Sequence, residues 1–259
     1  MKIPFYQIDA FTSSVFGGNP AAVCPLDDWI PDDLMQKIAM ENNLSETAFF
    51  VRKDDHFHIR WFSPTIEVNL CGHATLATAF VLFNHLNYDS DVIHFHSAGG
   101  SLKVHQEGTR LILDFPSTPA KKIETSMRLV HGLGEKPEAV FKSRDILAVF
   151  DKEVDIHDIH PNFSYLKELD CLGIIATAPG DEVDFVSRFF APAAGVDEDP
   201  VTGSAHTTLI PYWSERLNKN QLLARQISQR GGELFCELRG DRVFIGGNAV
   251  TYAIGHIQI

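Results

Sequence analysis

The stretch RWFSP at residues 60–64 decides the fold, because the chain repeats it as RFFAP at residues 188–192. Each copy runs into a glycine-led turn, CGHAT at residues 71–75 and TGSAH at residues 202–206. A short similarity can arise by chance, but the shared order of aromatic pair, proline, glycine and alanine favours a true duplication. We therefore expect two related halves with one cleft between them, where small molecules are usually bound.

Residues 74–86 follow the first turn and form an almost entirely apolar run, ATLATAFVLFNHL. A helix without a polar face is buried on all sides. A strongly curved sheet wrapped around one helix gives that environment, and we expect this arrangement once in each half. The second central helix is predicted over residues 204–217, where Pro211 lies deep enough to kink or interrupt it. Another helix is predicted from Pro31 through Asn42, because acidic residues and an early proline favour its start.

Short β-like runs fill much of the remaining sequence, and several alternate in polarity with a period near two. The proline-containing stretch at residues 116–122 breaks this pattern. We place the domain boundary there, with an N-terminal half at residues 1–116 and a C-terminal half at residues 117–259. Residues 250–259 are strand-like and are free to pair with either half.

The composition disfavours several classes of function. Hydrophobic residues make up 44% of the chain and charged residues 22%, as in ordinary globular proteins. The formal net charge of −12 disfavours binding to nucleic acid or to an anionic membrane surface. No apolar run approaches the ~18 residues of a membrane span, and the N-terminus lacks a secretory signal pattern, so we expect a cytoplasmic protein. The four scattered cysteines are expected to be reduced core thiols.

No metal or cofactor site is complete in the sequence. His56 and His58, like His94 and His96, stand two residues apart on strands, a spacing that can hold a metal ion. No third ligand is evident, and twelve histidines make such pairs common by accident. The chain also lacks the CxxC spacing of structural zinc sites, the GxSxG elbow and the GxGxxG fingerprint. We assign no metal and no cofactor.

Two residues of the first half are candidates for proton transfer. Glu46 lies in an apolar β-like run at residues 43–51, where desolvation is expected to raise its pKa toward the range useful for acid–base catalysis. A strand glutamate is, however, more often solvated or ion-paired. His73 follows the first turn, where the positive end of the helix is expected to lower its pKa and keep it neutral. A purely structural hydrogen bond is an equally open interpretation of this histidine.

The second candidate site lies around the second turn. Asp199 precedes Pro200 and is held extended. Gly203 and Ser204 offer backbone amides and a hydroxyl at a helix start, which are the ingredients of a carboxylate-binding cradle. Acidic residues before a helix are also ordinary caps.

Five motifs appear together and in one order: GNPAAV at 18–23, SETAF at 45–49, RWFSP at 60–64, CGHAT at 71–75 and DPVTGSAH at 199–206. On these motifs the chain resembles the PhzF family of phenazine-biosynthesis isomerases over residues 3–259. The resemblance implies the diaminopimelate-epimerase-like α/β fold. Each of its two similar halves is a curved mixed β-sheet around a central helix. It also makes a homodimer plausible.

The resemblance further implies a cofactor-free isomerisation of a small carboxylate-bearing, amino acid-like substrate. In this reaction a glutamate, matched here by Glu46, moves a proton between carbon atoms. The assisting catalytic residues match His73, Asp199 and Ser204. The substrate-binding residues come from the two glycine-led turns, as Gly72, Ala74, Thr202 and Gly203.

Two alternatives stay open. Epimerases of this fold use two facing cysteines, but here Cys71 borders the first turn and Ser204 stands in the second, which disfavours a two-thiol racemase. A racemase or epimerase that uses Glu46 and Asp199 instead is one alternative. The other is a non-catalytic metabolite-binding protein that kept the fold. The motifs do not specify the natural substrate.

Overall fold

A computed structural model describes all residues, 1–259. The chain folds into two compact units, one made of Met1–Asp114 with Gly246–Ile259 and the other of Phe115–Ile245. The main segment of the first unit thus ends close to the proline-containing stretch. The first unit also includes the last residues of the chain. None of the helices combines the length and the apolar character needed to cross a membrane.

The first unit is a mixed sheet with two helices. The elements are β1 (Lys2–Ala10), β2 (Asn19–Leu26), α1 (Asp32–Asn42), β3 (Glu46–Lys53), β4 (His56–Phe62), β5 (Glu67–Val68), α2 (Gly72–Asn84), β6 (Val92–Ser97), β7 (Gly100–Glu107), β8 (Arg110–Pro116) and β18 (Ala249–Gln258). Strand β1 pairs antiparallel with β2 and β18, β2 runs parallel to β3, and β3 runs antiparallel to β4. Strand β4 also pairs with the short antiparallel β5 and with the parallel β6. Strand β7 pairs antiparallel with β6, and β8 pairs antiparallel with β7.

The second unit is also a mixed sheet. The elements are β9 (Lys121–Ile123), α3 (Met127–Leu133), β10 (Ala139–Lys142), β11 (Ile146–Val149), α4 (Glu153–His157), α5 (Phe163–Leu166), β12 (Ile174–Pro179), β13 (Phe185–Ala191), a 3-10 turn (Pro192–Ala194), β14 (Val196–Asp199), α6 (Gly203–Leu217), β15 (Gln221–Gln226), β16 (Gly232–Arg239) and β17 (Arg242–Gly247). Strand β9 pairs antiparallel with β10, β10 pairs antiparallel with β11, β11 runs parallel to β12, and β12 runs antiparallel to β13. Strand β13 also pairs with the antiparallel β14 and the parallel β15, and β15 pairs antiparallel with β16.

Both units connect their elements in the same order. In the first unit, the parallel pair β2 and β3 leads to the antiparallel β4, the short β5, helix α2 and the parallel β6. In the second unit, β11, β12, β13, β14, α6 and β15 repeat this order with the same strand directions. The two copies of the repeated sequence lie at the ends of β4 and β13. The topology confirms the predicted duplication.

The arginine of the repeated sequence makes the same contact in both units. The Nε of Arg60 lies 2.7 Å from one oxygen of Glu67 on β5, and its Nη2 lies 2.7 Å from the other. Arg188 binds Glu198 on β14 in the same bidentate way, with its Nε 2.7 Å from one carboxylate oxygen and its Nη2 2.8 Å from the other. Paired N–H groups match both oxygens of a carboxylate, which fixes geometry as well as charge. Each arginine therefore anchors the short strand that leads to the next helix start.

The central helix of the first unit is α2, which packs against β1, β2, β3 and β18. Its residues from Gly72 to Ala79 are all buried, and the side chains of Leu76 and Ala77 are fully enclosed. The prediction of a buried helix is confirmed, although the helix begins at Gly72 and ends at Asn84 rather than covering residues 74–86.

Pro211 was predicted to kink or interrupt the second central helix, and it does not interrupt it, because α6 continues through it to Leu217. Proline has no N–H, so the carbonyl of Thr207, four residues earlier, loses its helical donor. The backbone N–H of Thr118 donates to this carbonyl at 2.9 Å. The Thr208 hydroxyl in turn donates to the Thr118 carbonyl at 3.1 Å. The extended segment before β9 thus satisfies the carbonyl that the proline leaves open.

Three short helices of the second unit, α3, α4 and α5, were not predicted. They have seven, five and four residues, too few for an apolar period of 3.6 residues to stand out. Their apolar side chains complete one hydrophobic core against β11 and β12. The buried residues that they contribute are Leu129, Leu133, Ile156 and Leu166.

Replacing Arg188 by lysine is expected to lower the free energy of unfolding by about 2 kcal/mol. An ammonium group cannot hold both oxygens of Glu198 while also donating to the carbonyls of Ile156 and Ile159, as the guanidinium does at 3.1 and 2.9 Å. Denaturant unfolding followed by circular dichroism measures the change. The control is Arg128→Lys. Arg128 forms an ion pair with Glu168, but its side chain is 52% exposed, and an exposed ion pair contributes little to stability. Equal losses in the two variants would contradict the anchoring role.

Candidate active site

Glu46 and His73 meet inside the first unit. Glu46 is the first residue of β3, and His73 is the second residue of α2. The Glu46 Oε2 lies 3.1 Å from the His73 Nε2, and the two side chains are only 17% and 5% exposed. The structure therefore brings two of the predicted catalytic residues into direct contact in a water-poor environment.

The other ring nitrogen of His73 has its own polar neighbours. The Nδ2 of Asn19 lies 3.2 Å from the His73 Nδ1, and the Cys71 Sγ lies 3.6 Å from the same atom. Asn19 opens β2 and is fully buried. The imidazole is thus held between a carboxylate on one side and an amide and a thiol on the other. Contacts of this kind orient a ring and set which nitrogen carries the proton.

A glycine turn positions Asn19. Gly18 has a φ of +61°, a conformation that other L-residues rarely adopt. A Cβ at this position would also collide with the carbonyl oxygen of Ala10. The first motif of the sequence therefore contains a turn that brings an amide to His73.

The expectation that the helix start lowers the pKa of His73 is wrong. Burial lowers the pKa of the imidazole, but the neighbouring Cys71 and then the Glu46 carboxylate raise it well above the ordinary value of 6.5. An opposite charge at hydrogen-bond distance inside a protein acts more strongly than a helix terminus. The Nε2–H of His73 donates to the Glu46 carboxylate.

Cys71 does not act as an anionic group at neutral pH. Burial, followed by the nearby Glu46 charge, raises the pKa of its thiol to about 11. A helix start ordinarily lowers a thiol pKa, but here desolvation is the larger effect. Burial thus disfavours a thiolate at this turn.

The start of α2 lies beside this cluster. Cys71 is the residue before the helix, has an extended backbone and makes no side-chain cap. Gly72 and Ala74, the predicted substrate-binding residues, lie in the first helical turn and are buried. The first N–H groups of a helix have no partner within it, and together with the helix dipole they attract anions.

The predicted residues of the second unit lie around the start of α6. The hydroxyl of Thr202 donates to the Asp199 carboxylate. Gln226, the last residue of β15, holds both ends of the turn: its Nε2 donates to the Asp199 carbonyl at 2.7 Å, and its Oε1 accepts from the Thr202 N–H at 2.9 Å. Sequence reasoning missed Gln226, since no local pattern marks a buried glutamine at a strand end.

Ser204 has a cationic neighbour that was also missed. The Nη2 of Arg144 donates to the Ser204 hydroxyl at 3.1 Å. Arg144 is oriented by the buried carboxylate of Asp145, 2.6 Å away. The Arg144 side chain is 43% exposed, so it combines a fixed position with access to solvent. Gly203 lies between Thr202 and Ser204 and begins the helix.

His206, at the end of the second turn, plays a different part from His73. It is fully buried, and its Nδ1 donates to the Thr202 carbonyl at 2.8 Å. Burial lowers its pKa to about 4, so the ring is neutral at pH 7. Its contacts make it a structural residue of the α6 start.

The donors Glu46, Cys71 and His73 also satisfy a distance criterion for metal binding, since one ligand atom of each lies within 4.8 Å of the others. Metal binding requires a deprotonated thiol and a neutral imidazole. Without an ion, burial keeps the Cys71 thiol protonated, with a pKa of about 11.

Removing the charge of Glu46 is expected to lower the pKa of His73. In Glu46→Gln the amide cannot favour the imidazolium, so burial dominates; NMR titration of the His73 ring protons measures the change. Because the folded pKa is raised, the stability that the pair contributes is complete below pH 6.5 and is lost as the pH rises through the folded pKa. Glu41→Gln, an exposed change on α1, is the control and should leave the titration unchanged. An unaltered His73 titration in Glu46→Gln would contradict the coupling.

The chain matches the family model described as phenazine biosynthesis-like protein over residues 8–255. An uncharacterized isomerase of Pseudomonas aeruginosa is 51% identical over 260 residues, and the match covers 100% of both chains. The crystal structure of a phenazine biosynthesis protein of the PhzF family from Enterococcus faecalis superposes with a TM-score of 0.98 at 48% identity, again over 100% of both chains.

A more distant structure confirms the predicted fold. The hydroxyproline epimerase of Agrobacterium vitis matches with a TM-score of 0.65 and 11% identity, covering 99% of this chain and 92% of the epimerase. At this identity the likeness concerns the fold alone. The relatives at high identity establish more, and from them we conclude that the chain is an isomerase that belongs to the phenazine biosynthesis-like (PhzC-PhzF) protein family.

Proposed function

We propose that this isomerase moves a proton within a small, carboxylate-bearing, amino acid-like metabolite without a cofactor, and that Glu46 is its acid–base group. The observation that carries the proposal is the 3.1 Å contact between Glu46 and His73. A carboxylate in a water-poor site can take a proton from carbon, and a neighbouring imidazolium stabilises that carboxylate before the reaction.

The proposed reaction has two steps at Glu46. The carboxylate takes a proton from one carbon of the substrate, and the bonding electrons move into an adjacent conjugated system. The carboxyl group exchanges this proton with solvent and then delivers a proton to a different carbon, so the double bond shifts and no atom is gained or lost overall. The imidazolium of His73 donates to Glu46 while it is charged, and this hydrogen bond weakens when Glu46 holds the proton.

We assign substrate binding to the two helix starts. In the first unit, the amides of Gly72 and Ala74 are proposed to bind a negatively charged group of the substrate, since a helix start attracts anions. In the second unit we assign the same role to Thr202 and Gly203. A carboxylate-bearing substrate is consistent with the epimerase of the same fold, which was solved with bound trans-4-hydroxy-L-proline.

Asp199 and Ser204 are proposed to assist the reaction. The hydrogen bond from Thr202 orients the Asp199 carboxylate, and Arg144 orients the Ser204 hydroxyl. The exposed guanidinium of Arg144 adds a positive charge that suits an anionic substrate. A homodimer and a cytoplasmic location stay predictions from the sequence.

An epimerase that uses Glu46 and Asp199 as paired acid and base is the second candidate, favoured by the fold shared with the hydroxyproline epimerase. The two reactions differ in product. An isomerase places solvent hydrogen on a carbon that did not lose the proton, whereas an epimerase places it on the same carbon with inverted configuration. A non-catalytic binding protein would bind ligands without exchanging any hydrogen.

The test starts from a thermal-shift screen of cyclic and acyclic amino acids and hydroxybenzoate-like acids, followed by incubation of each hit in D₂O. The wild type is expected to incorporate deuterium at a new carbon of the product, located by NMR. Glu46→Gln should still bind the hit, but its rate of incorporation should fall roughly 10²–10⁴-fold, the usual contribution of general acid–base catalysis.

Glu41→Gln is the matched control, since it makes the same chemical change at an exposed position of α1. It should retain the wild-type rate of incorporation. An undiminished rate in Glu46→Gln would remove this residue from the mechanism. Deuterium at an inverted stereocentre would instead favour the epimerase.

A further inference from the structure

Three histidines of the first unit converge on one face of its sheet. His56 and His58 belong to β4 and His96 to β6, and the parallel pairing of these strands sets His58 beside His96. One ring nitrogen from each histidine lies within 4.8 Å of the other two. The sequence offered two histidine pairs without a third ligand, and the pairing of β4 with β6 supplies it.

We propose that His56, His58 and His96 form a binding site for a divalent transition-metal ion, with zinc as the representative ion. Imidazole nitrogen is a preferred ligand of this class of metal. Three protein ligands leave a fourth position of a tetrahedral ion open, and His96 is exposed enough for water to occupy it.

The distances are close to those of a coordinated ion. The Nε2 atoms of His56 and His58 lie 3.1 Å apart. Two nitrogens bound at 2.0–2.1 Å to a tetrahedral zinc ion lie roughly 3.3 Å from each other. The rings of His56 and His96 have centroids 4.4 Å apart, and those of His58 and His96 are stacked with an interplanar angle of 1°.

Asp55 orients the ring of His56 through a hydrogen bond. Its Oδ1 lies 3.1 Å from the His56 Nδ1. This hydrogen bond is the largest of the effects that lower the pKa of Asp55. A carboxylate accepting from Nδ1 keeps the proton there and leaves the lone pair of Nε2 facing His58. Metal-bound histidines commonly have such a carboxylate behind them, which fixes the ring and raises its basicity.

The sheet holds the ligands in place. Phe57 and Phe95 lie opposite each other on the buried face, so their neighbours along the two strands are turned to the other face. Sites built on strands are more precisely positioned than sites on loops. His58, which lies between His56 and His96 in the cluster, is half-buried.

The proposed site is separate from the candidate active site. Glu46 begins β3, and Lys53 ends it opposite His56. A strand of this length spans about 23 Å at 3.3 Å per residue. An ion at the histidines therefore does not reach the reacting atoms. Its expected effect is to tie β4 to β6 and raise the melting temperature of the protein.

The test is metal titration of the full chain, free of any polyhistidine tag. Calorimetry with zinc should show one saturable site, which His58→Gln and His96→Gln each abolish. Cobalt(II), used as an optical probe, should give ligand-field bands without the sulfur charge-transfer band that the Glu46, Cys71 and His73 group would produce. His94→Gln is the matched control: it lies on the same strand outside the cluster, and it should bind as the wild type does.

Asp55→Asn provides a second test if a histidine variant fails to fold. Asp55 is an exposed residue in a turn, so its replacement should not disturb folding. This variant should bind zinc about 10-fold more weakly. The proposal is overturned if the wild type shows no saturable site, if His58→Gln and His96→Gln bind zinc as well as the wild type, or if His94→Gln loses as much affinity as they do. A cobalt complex with a sulfur band would also overturn it.

Discussion

The contact between the Glu46 carboxylate and the His73 imidazole is the interaction on which the rest of the account depends. It requires the first residue of β3 and the second residue of α2 to meet in a water-poor place. Three features make that possible. The almost entirely apolar surface of α2 lets the start of the helix be buried, the turn at Gly18 brings Asn19 to the ring, and Arg60 binds the short strand before the helix. Burial lowers the pKa of His73, and the neighbouring Cys71 and Glu46 reverse this.

The duplicated halves explain how such a site can arise from a general scaffold. Both units keep the arginine that anchors the short strand and the glycine that begins the central helix. They differ at the next position, where the first unit has His73 beside a carboxylate and the second has Ser204 beside the guanidinium of Arg144. The repeated part of each unit therefore determines where a helix starts, and the residue after the glycine determines its chemistry. Fold and function are separable in this way in many proteins.

Much of the fold could be predicted from the sequence, because the repeat and the apolar helix are local signals with one physical interpretation. The errors concern contacts between distant residues. Pro211 was expected to kink or interrupt its helix, but the helix continues through it, and Thr118, far away in the chain, supplies the missing donor. The buried amides of Asn19 and Gln226 gave no sequence signal, since their roles depend on the residues that they meet. His96 could not be joined to the other histidines without the parallel pairing of its strand.

The central claim is that Glu46 and His73 act as one proton-carrying unit. A double-mutant cycle on the rate of deuterium incorporation into a bound substrate tests it most directly, with Glu46→Gln, His73→Gln and the double variant. Residues that act as a unit have strongly non-additive effects. The account predicts that the double variant is no slower than the slower single variant. A double variant whose loss equals the product of the two single losses would show that the residues act independently, and it would contradict the account.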